Sequence, residues 1–83
     1  DIVYVVHQDA KGYIWFGTEK GVSLFDGYTF RNFTTKNGLA HNVITNIKED
    51  SKGRIWFLTQ VNKISYYFQN KIYNQENDSH SLR

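Results

Sequence analysis

The chain contains no cysteine, no proline and no methionine. The absence of cysteine excludes disulfides and cysteine-ligated zinc sites. A chain of this length buries only about 60% of its unfolded surface, so it is expected to need further packing partners. Its apolar runs are only a few residues long, which excludes a transmembrane helix, and we expect this segment to make no membrane contact. The ten basic and eight acidic residues are scattered, so no nucleic-acid partner is expected.

Helical periodicity is also missing, because no apolar i, i+3, i+4, i+7 stripe persists and glycine and asparagine interrupt the chain every few residues. No signal peptide is recognisable. The chain starts within a predicted strand, at Asp1-Ile2-Val3, which we interpret as the start of a fragment cut from a longer protein. Aromatic residues make up 17% of the chain. Aromatic and β-branched residues favour half-buried pleated surfaces, which predicts an all-β fold.

The sequence repeats itself at an offset of 41 residues. Residues 3–18 read VYVVHQDAKGYIWFGT and residues 44–59 read ITNIKEDSKGRIWFLT, with seven of sixteen positions identical. One further residue then shifts the offset to 42, so that residues 22–25 align with 64–67. Four short strands within 40 to 45 residues are typical of one blade of a β-propeller. The repeat therefore predicts a propeller fragment of two four-stranded antiparallel blades.

Turn residues separate the predicted strands at spacings of roughly ten residues. In the first repeat the strands are expected at 2–8, 13–18, 22–25 and 28–33. In the second repeat they are expected at 43–48, 54–59, 63–68 and 71–75. This gives blade 1 with an inter-blade link at 1–42, blade 2 at 43–75 and a polar tail or linker at 76–83. The Asp26-Gly27 pair predicts the last hairpin of blade 1, and Gln69-Asn70 takes its place in blade 2.

An aspartate precedes a glycine by three residues in both repeats, as Asp9 with Gly12 and as Asp50 with Gly53. The aspartate side chain is expected to accept hydrogen bonds from free N–H groups of the turn, while the glycine supplies the left-handed conformation. The functional alternative is a calcium or phosphate loop, but the D-x-x-G pattern lacks the further oxygen ligands that a calcium loop needs. We interpret the four residues as structural.

Trp15 and Trp56 lie at equivalent positions in the centres of apolar strands. Packing between blades is the favoured interpretation, and stacking on a sugar is the alternative. Gly17 indicates a close approach of a neighbouring segment. Its counterpart in blade 2 is Leu58, so the neighbour of blade 2 is expected to differ or to shift.

No metal, cofactor or catalytic centre is predicted. His7, His41 and His80 lie in different elements, whereas a metal site needs two or three such ligands to converge. The chain also has no spacing typical of a Ser-His-Asp triad.

Two strings carry a family resemblance: Gln8-Asp9-Ala10-Lys11-Gly12-Tyr13-Ile14-Trp15-Phe16-Gly17-Thr18 with its following Gly21-Val22 and Phe25-Asp26-Gly27, and the link Asn37-Gly38-Leu39-Ala40-His41-Asn42-Val43. Both resemble the two-component regulator propeller repeat, which covers residues 2–73. The resemblance implies a propeller in the extracytoplasmic, periplasmic sensor region of a bacterial hybrid histidine kinase of the Bacteroidetes type, many of which respond to oligosaccharides. It also implies that this segment is not itself an enzyme, and that the motif residues are scaffold.

Ligand contacts in that family come from variable loops on one propeller face. On this chain that face is predicted to carry the inter-blade link and the turns between the second and third strands. The candidate ligand-binding residues are Glu19, Lys20, Lys36, Asn37 and His41. An oligosaccharide is the expected ligand, and the expected partners are further blades of the same protein or other copies of the chain.

Two other functions are kept open. The chain could be a structural or protein-interaction propeller module. It could also be part of a propeller glycoside hydrolase, because the turn faintly resembles the Asp-box of sialidases. A sialidase needs clustered arginines, however, and Arg31, Arg54 and Arg83 lie in separate elements.

Overall fold

The computed structural model describes residues 2–78 and confirms an all-β fold with two four-stranded antiparallel sheets. Blade 1 contains β1 (Val3–Gln8), β2 (Ile14–Thr18), β3 (Gly21–Phe25) and β4 (Phe30–Phe33). Blade 2 contains β5 (Ile44–Glu49), β6 (Ile55–Thr59), β7 (Ile64–Phe68) and β8 (Lys71–Tyr73). Each sheet follows chain order, so consecutive strands of one blade pair through short hairpins. A short 3-10 helix, Thr35–Asn37, lies in the link between the blades.

Both blades use the same register. Val3 pairs with Thr18 and Ile44 pairs with Thr59, and each first strand has an irregularity immediately after that pair. Trp15 pairs with Leu24, and its counterpart Trp56 pairs with Tyr66. The sequence repeat is therefore a repeat of three-dimensional structure, down to the irregularity in the first strand.

Two strands are two residues shorter than predicted because side chains close the adjacent turns, whereas the other six differ from their predicted bounds by a single residue at one or both ends. β4 begins at Phe30 rather than at residue 28, since the carboxylate of Asp26 accepts the N–H groups of Tyr28 and Thr29, both at 2.9 Å. β8 ends at Tyr73 rather than at residue 75, since a hydrogen-bonded turn begins at Asn74. In each case a local hydrogen bond outcompetes the strand ladder.

The core lies between the two sheets. Blade 1 contributes Trp15, which is 1% exposed, and blade 2 contributes Phe57, which is fully buried. The two ring centroids lie 5.5 Å apart, and the ring of Tyr67 meets Trp15 edge-on at 4.9 Å. Aromatic pairs at such distances contribute beyond the area they bury. The remaining apolar side chains of this core are Val22, Leu24, Phe33, Leu39, Ile44, Ile47, Ile55 and Ile72.

Gly17 allows the two sheets to approach closely. A Cβ atom at this position would lie 2.5 Å from Cγ1 of Val5 and 2.8 Å from Cγ2 of Ile44, which belongs to the other blade. Both distances are far shorter than a van der Waals contact. The absence of a side chain at Gly17 is therefore a requirement of this interface.

Each blade also has an outer face that no other part of residues 2–78 covers completely. On blade 1 the outer face exposes Val3 (48%), Val6 (58%) and Phe30 (65%). On blade 2 it exposes Leu58 (37%) and Ile64 (42%). Within residues 2–78 no helix has the length and hydropathy that crossing a bilayer requires.

Candidate ligand site at the inter-blade link

The hairpin turns and the link lie at the two opposite ends of the strands, and we name these ends the link rim and the aspartate rim. The link rim carries the turns at 19–20 and 60–63, the link at 34–43 and the turn at 74–78. The aspartate rim, at the opposite ends of the strands, carries the turns at 9–13, 26–29, 50–54 and 69–70. The candidate ligand-binding residues all lie on the link rim.

The aspartate rim is fixed by one carboxylate in each blade. Oδ1 of Asp9 accepts the N–H groups of Lys11 and Tyr13, both at 2.9 Å, and Oδ2 accepts the indole N–H of Trp15 at 2.9 Å. Gly12 closes this turn with φ +86°. One side chain thus connects the turn to the central tryptophan of the sheet.

Asp50 repeats this arrangement in blade 2. Its carboxylate accepts the N–H of Lys52 at 2.9 Å, the N–H of Arg54 at 3.0 Å and the indole N–H of Trp56 at 2.8 Å. It also forms an ion pair of 2.6 Å with Nε of Arg54. Desolvation opposes ionisation, but the hydrogen bonds from Trp56 and Arg54 outweigh it and hold the pKa of Asp50 well below its usual range.

The two tryptophans have equivalent positions but different surroundings. Trp15 is sealed by Phe57 and Tyr67 of blade 2. Trp56 is only half-buried, and its ring contacts Tyr66 at 4.7 Å and the guanidinium of Arg54 at 5.1 Å. The difference arises because blade 2 covers Trp15, while no comparable sheet within residues 2–78 covers Trp56.

On the link rim, the link is held by its own side chains. Oδ1 of Asn37 accepts the N–H of Thr34 at 2.9 Å, and the hydroxyl of Thr34 accepts the N–H of Lys36 at 3.2 Å. Oδ1 of Asn42 accepts the N–H of Thr35 at 2.9 Å, and its carbonyl accepts the N–H of Gly21 at 2.6 Å. The first three bonds close the link on itself, and the bond from Gly21 connects the link to β3 of blade 1.

The turn at 74–78 repeats the hydrogen bonding of the link. Oδ1 of Asn77 accepts the N–H of Asn74 at 2.7 Å, just as Asn37 accepts that of Thr34. The amide of Asn74 donates to the carbonyl of Gly38 at 2.9 Å, which ties this turn to the link. Asp78 is 4% exposed and accepts the hydroxyl of Tyr66 at 2.6 Å. The residues predicted as the start of a polar tail therefore form an ordered turn, while residues 79–83 lie outside the described part of the chain.

A cavity of about 500 Å³ opens between the link, the turn at 60–63 and the turn at 74–78. Leu39 and Ile64 give it an apolar wall. Its polar lining includes the side chains of Asn62, Lys63, Gln75 and Glu76. Within residues 2–78, these four side chains make no hydrogen bond or ion pair, so their polar atoms are available to a ligand.

None of the five candidate residues lines the cavity. Glu19 accepts the N–H of Ile2 at 3.3 Å, and Nδ1 of His41 accepts the N–H of Val43 at 3.2 Å. Asn37 closes the link turn. Lys20 and Lys36 are exposed. Glu19, Asn37 and His41 thus accept hydrogen bonds from backbone N–H groups, and other residues line the cavity.

Lys63 and Glu76, which line the cavity, are not among the candidate residues predicted from the sequence. Lys63 stands out in the alignment only as the replacement of Gly21, and Glu76 lies in the segment predicted to be a tail. The two residues line the same cavity because β8 ends early and because Asn74 donates a hydrogen bond to Gly38. No local sequence pattern predicts either feature. The left-handed backbone of Asn62, with φ +61°, is the one local signal of an unusual turn here.

A second cleft, of about 580 Å³, lies between the blades on the aspartate rim. Tyr13 and Tyr67 line it, with Glu49 at its edge. Glu49 accepts the N–H of Ala10 at 3.1 Å and lies 3.6 Å from Nε2 of His7. No cluster of three or more metal-ligating side chains occurs within residues 2–78.

Comparison with known proteins supports the repeat. The chain matches the family model described as two component regulator propeller over residues 1–20 and 38–60, just over half of its length. These two segments include both aspartate turns and both tryptophans. A search of the curated proteins finds no match to the chain. The chain belongs to the two component regulator propeller family.

Proposed function

We propose that this chain is a ligand-sensing segment of the propeller of a bacterial two-component sensor histidine kinase, located in the periplasm and responsive to an oligosaccharide. The observation that carries the proposal is the cavity on the link rim, with its unengaged polar side chains. The segment itself is proposed to be non-catalytic. The segment binds the ligand, and the kinase region of the intact protein carries out the catalysis.

The lining of this cavity suits a neutral, hydroxyl-rich ligand. The amides of Asn62 and Gln75 offer both donors and acceptors, Lys63 offers a donor and Glu76 an acceptor. Leu39 and Ile64 provide an apolar wall for the C–H face of a sugar ring. Small-molecule sites typically combine an apolar wall with a few convergent polar groups.

Sensing also requires that binding favours one arrangement of the protein over another. The cavity is lined by three separate segments: the link, the turn at 60–63 and the turn at 74–78. A ligand that contacts all three would restrain the link relative to blade 2. Binding here would therefore bias the packing of consecutive blades.

Titration calorimetry with a panel of oligosaccharides tests the proposal. Lys63→Met removes the ammonium group from the cavity, and Glu76→Gln replaces one charged acceptor oxygen by an amide NH2 group. Both variants keep the approximate side-chain size. Each should weaken binding about tenfold, the effect of about 1.4 kcal/mol from one lost hydrogen bond to a charged group. Lys11→Met, on the aspartate rim, is the matched control and should bind as the wild type does. Binding that is equally weakened by Lys11→Met, or by none of the three, would contradict the site.

A protein-interaction module is the second candidate function, and the exposed apolar outer faces favour it. Exposed contiguous apolar patches are typical of interaction sites. Capture of defined propeller segments by the immobilised chain, with no oligosaccharide binding by the wild type, would favour this alternative.

The glycoside hydrolase alternative is tested by turnover. Arg31 lies in β4 and Arg54 lies beside Asp50, while Arg83 is outside the described residues. Chromogenic glycosides should remain intact during prolonged incubation with the chain, and hydrolysis that scales with protein concentration would refute a purely binding role. Fractionation of cells that express the intact protein tests the periplasmic assignment.

A further inference from the structure

The interface between the blades is asymmetric, and this asymmetry defines what each outer face can accept. The face of blade 1 that meets blade 2 carries Trp15 and Gly17, and the face of blade 2 that meets it carries Phe57 and Ile44. We name the first kind the Trp face and the second kind the Phe face. Such a head-to-tail contact can be continued by further sheets, because each sheet presents one face of each kind.

The offset of 41 residues identifies the same positions on the two outer faces. The outer face of blade 1 is a Phe face, with Phe16 in the place of Phe57 and Val3 in the place of Ile44. The outer face of blade 2 is a Trp face, with Trp56 bound to Asp50 as Trp15 is bound to Asp9. The two outer faces are thus the two halves of the interface seen inside the molecule.

The two Trp faces differ, since Tyr66 takes the place of Leu24 and Leu58 that of Gly17, and Leu58 creates a steric mismatch with the Phe face. The glycine of the buried Trp face, Gly17, is replaced by Leu58 on the outer Trp face. At Gly17 a single Cβ atom would already lie 2.8 Å from Cγ2 of Ile44. A whole leucine side chain at that place therefore excludes an apposed residue of the size of isoleucine or valine. Inside blade 2, Leu58 is accommodated because its strand partner is the exposed Asn46 rather than a valine like Val5.

We propose that the outer Trp face of blade 2 is a docking surface for a four-stranded sheet whose Phe face carries glycine, alanine or serine opposite Leu58. The sheet stacks as blade 2 stacks on blade 1, with an aromatic ring against Trp56. A second copy of this chain does not fit, since Val3 would lie opposite Leu58. The proposal rests on the stacking between the blades and is independent of ligand sensing.

The chain itself can be used as a probe, because removal of either bulky residue relieves the steric overlap between Leu58 and Val3. Val3→Gly places no side chain opposite Leu58, and Leu58→Gly restores the glycine of the buried interface. Each variant should self-associate head to tail about tenfold more tightly than the wild type, the usual effect of relieving an overpacked contact. Sedimentation velocity over a concentration series measures this association.

Two control variants distinguish the steric requirement opposite Leu58 from non-specific hydrophobic association. Leu58→Ala keeps the Cβ atom and should not gain association, although it removes apolar surface as Leu58→Gly does. The double variant Val3→Gly with Leu58→Gly leaves a hole at the contact and should associate more weakly than either single variant. Val3 and Leu58 are 48% and 37% exposed, so the variants should keep the fold, which circular dichroism checks.

The proposal would be overturned if Val3→Gly and Leu58→Gly both associate no more than the wild type, or if wild-type copies already stack in a defined head-to-tail series. If Leu58→Gly does not fold, Val3→Gly tests the rule by itself with Leu58 intact.

Discussion

Substitution of Gly17 by alanine should destabilise the protein, although alanine is ordinarily better than glycine in a strand. The gain in backbone entropy is about 0.5–1 kcal/mol. Against it stand two contacts of the new Cβ atom, at 2.5 Å with Val5 and at 2.8 Å with Ile44. Overpacking of this kind costs about 1–3 kcal/mol. The net expectation is a loss of roughly 0.5–2 kcal/mol in the free energy of unfolding.

Urea denaturation followed by circular dichroism measures this loss, and the chain contains its own reference. Leu58 occupies the equivalent position of blade 2 on an open face, so the difference between Leu58→Gly and Leu58→Ala gives the glycine-to-alanine gain without a clash. The change in the free energy of unfolding caused by Gly17→Ala should lie below this reference value by the full cost of overpacking. If Gly17→Ala is instead as stabilising as the change at Leu58, the blades do not approach each other at Gly17 and the reasoning fails.

Three further predictions concern the turns and the tryptophans. Because the pKa of Asp50 is lowered in the folded state, its ionised carboxylate stabilises the fold above the pKa of about 3.9 of an unfolded aspartate. This contribution is lost as the pH falls below that value. Denaturation curves of the wild type and of Asp50→Asn should therefore converge in acid. A variant that keeps only Trp56 should be quenched by acrylamide more strongly than one that keeps only Trp15, and equal quenching would contradict the difference in burial. Gly21→Ala combines φ +103° with a Cβ only 2.1 Å from the carbonyl oxygen of Phe33, so it should cost roughly 2–4 kcal/mol in urea denaturation, and a neutral effect would contradict the close contact between this turn and the link.

Most of the fold could be predicted from the sequence repeat, because each blade is built from local hairpins. Turn residues such as Gly12 and Gly53 mark the strand ends, and the constant spacing from each aspartate to each tryptophan places both sheets in the same register. The bond between that carboxylate and the indole N–H was not anticipated. Its only sequence signal was the equal spacing of the two residues in both repeats.

The different burial of Trp15 and Trp56 could not be deduced from two equivalent segments. It depends on which sheet faces a neighbour, and this is a property of the assembly rather than of the repeat. The same limit applies to the candidate site. Lys63 and Glu76 are far apart in sequence and face one cavity because the link and the turn at Asn74 are joined by a hydrogen bond.

The central claim is that two sheets stack face to face, with Trp15 sealed by the second sheet. The most direct test is a set of nuclear Overhauser contacts from the indole of Trp15. Strong contacts are expected with the ring protons of Phe57 and Tyr67, whose centroids lie 5.5 and 4.9 Å away. Contacts from Trp15 to residues of its own blade alone would contradict the claim.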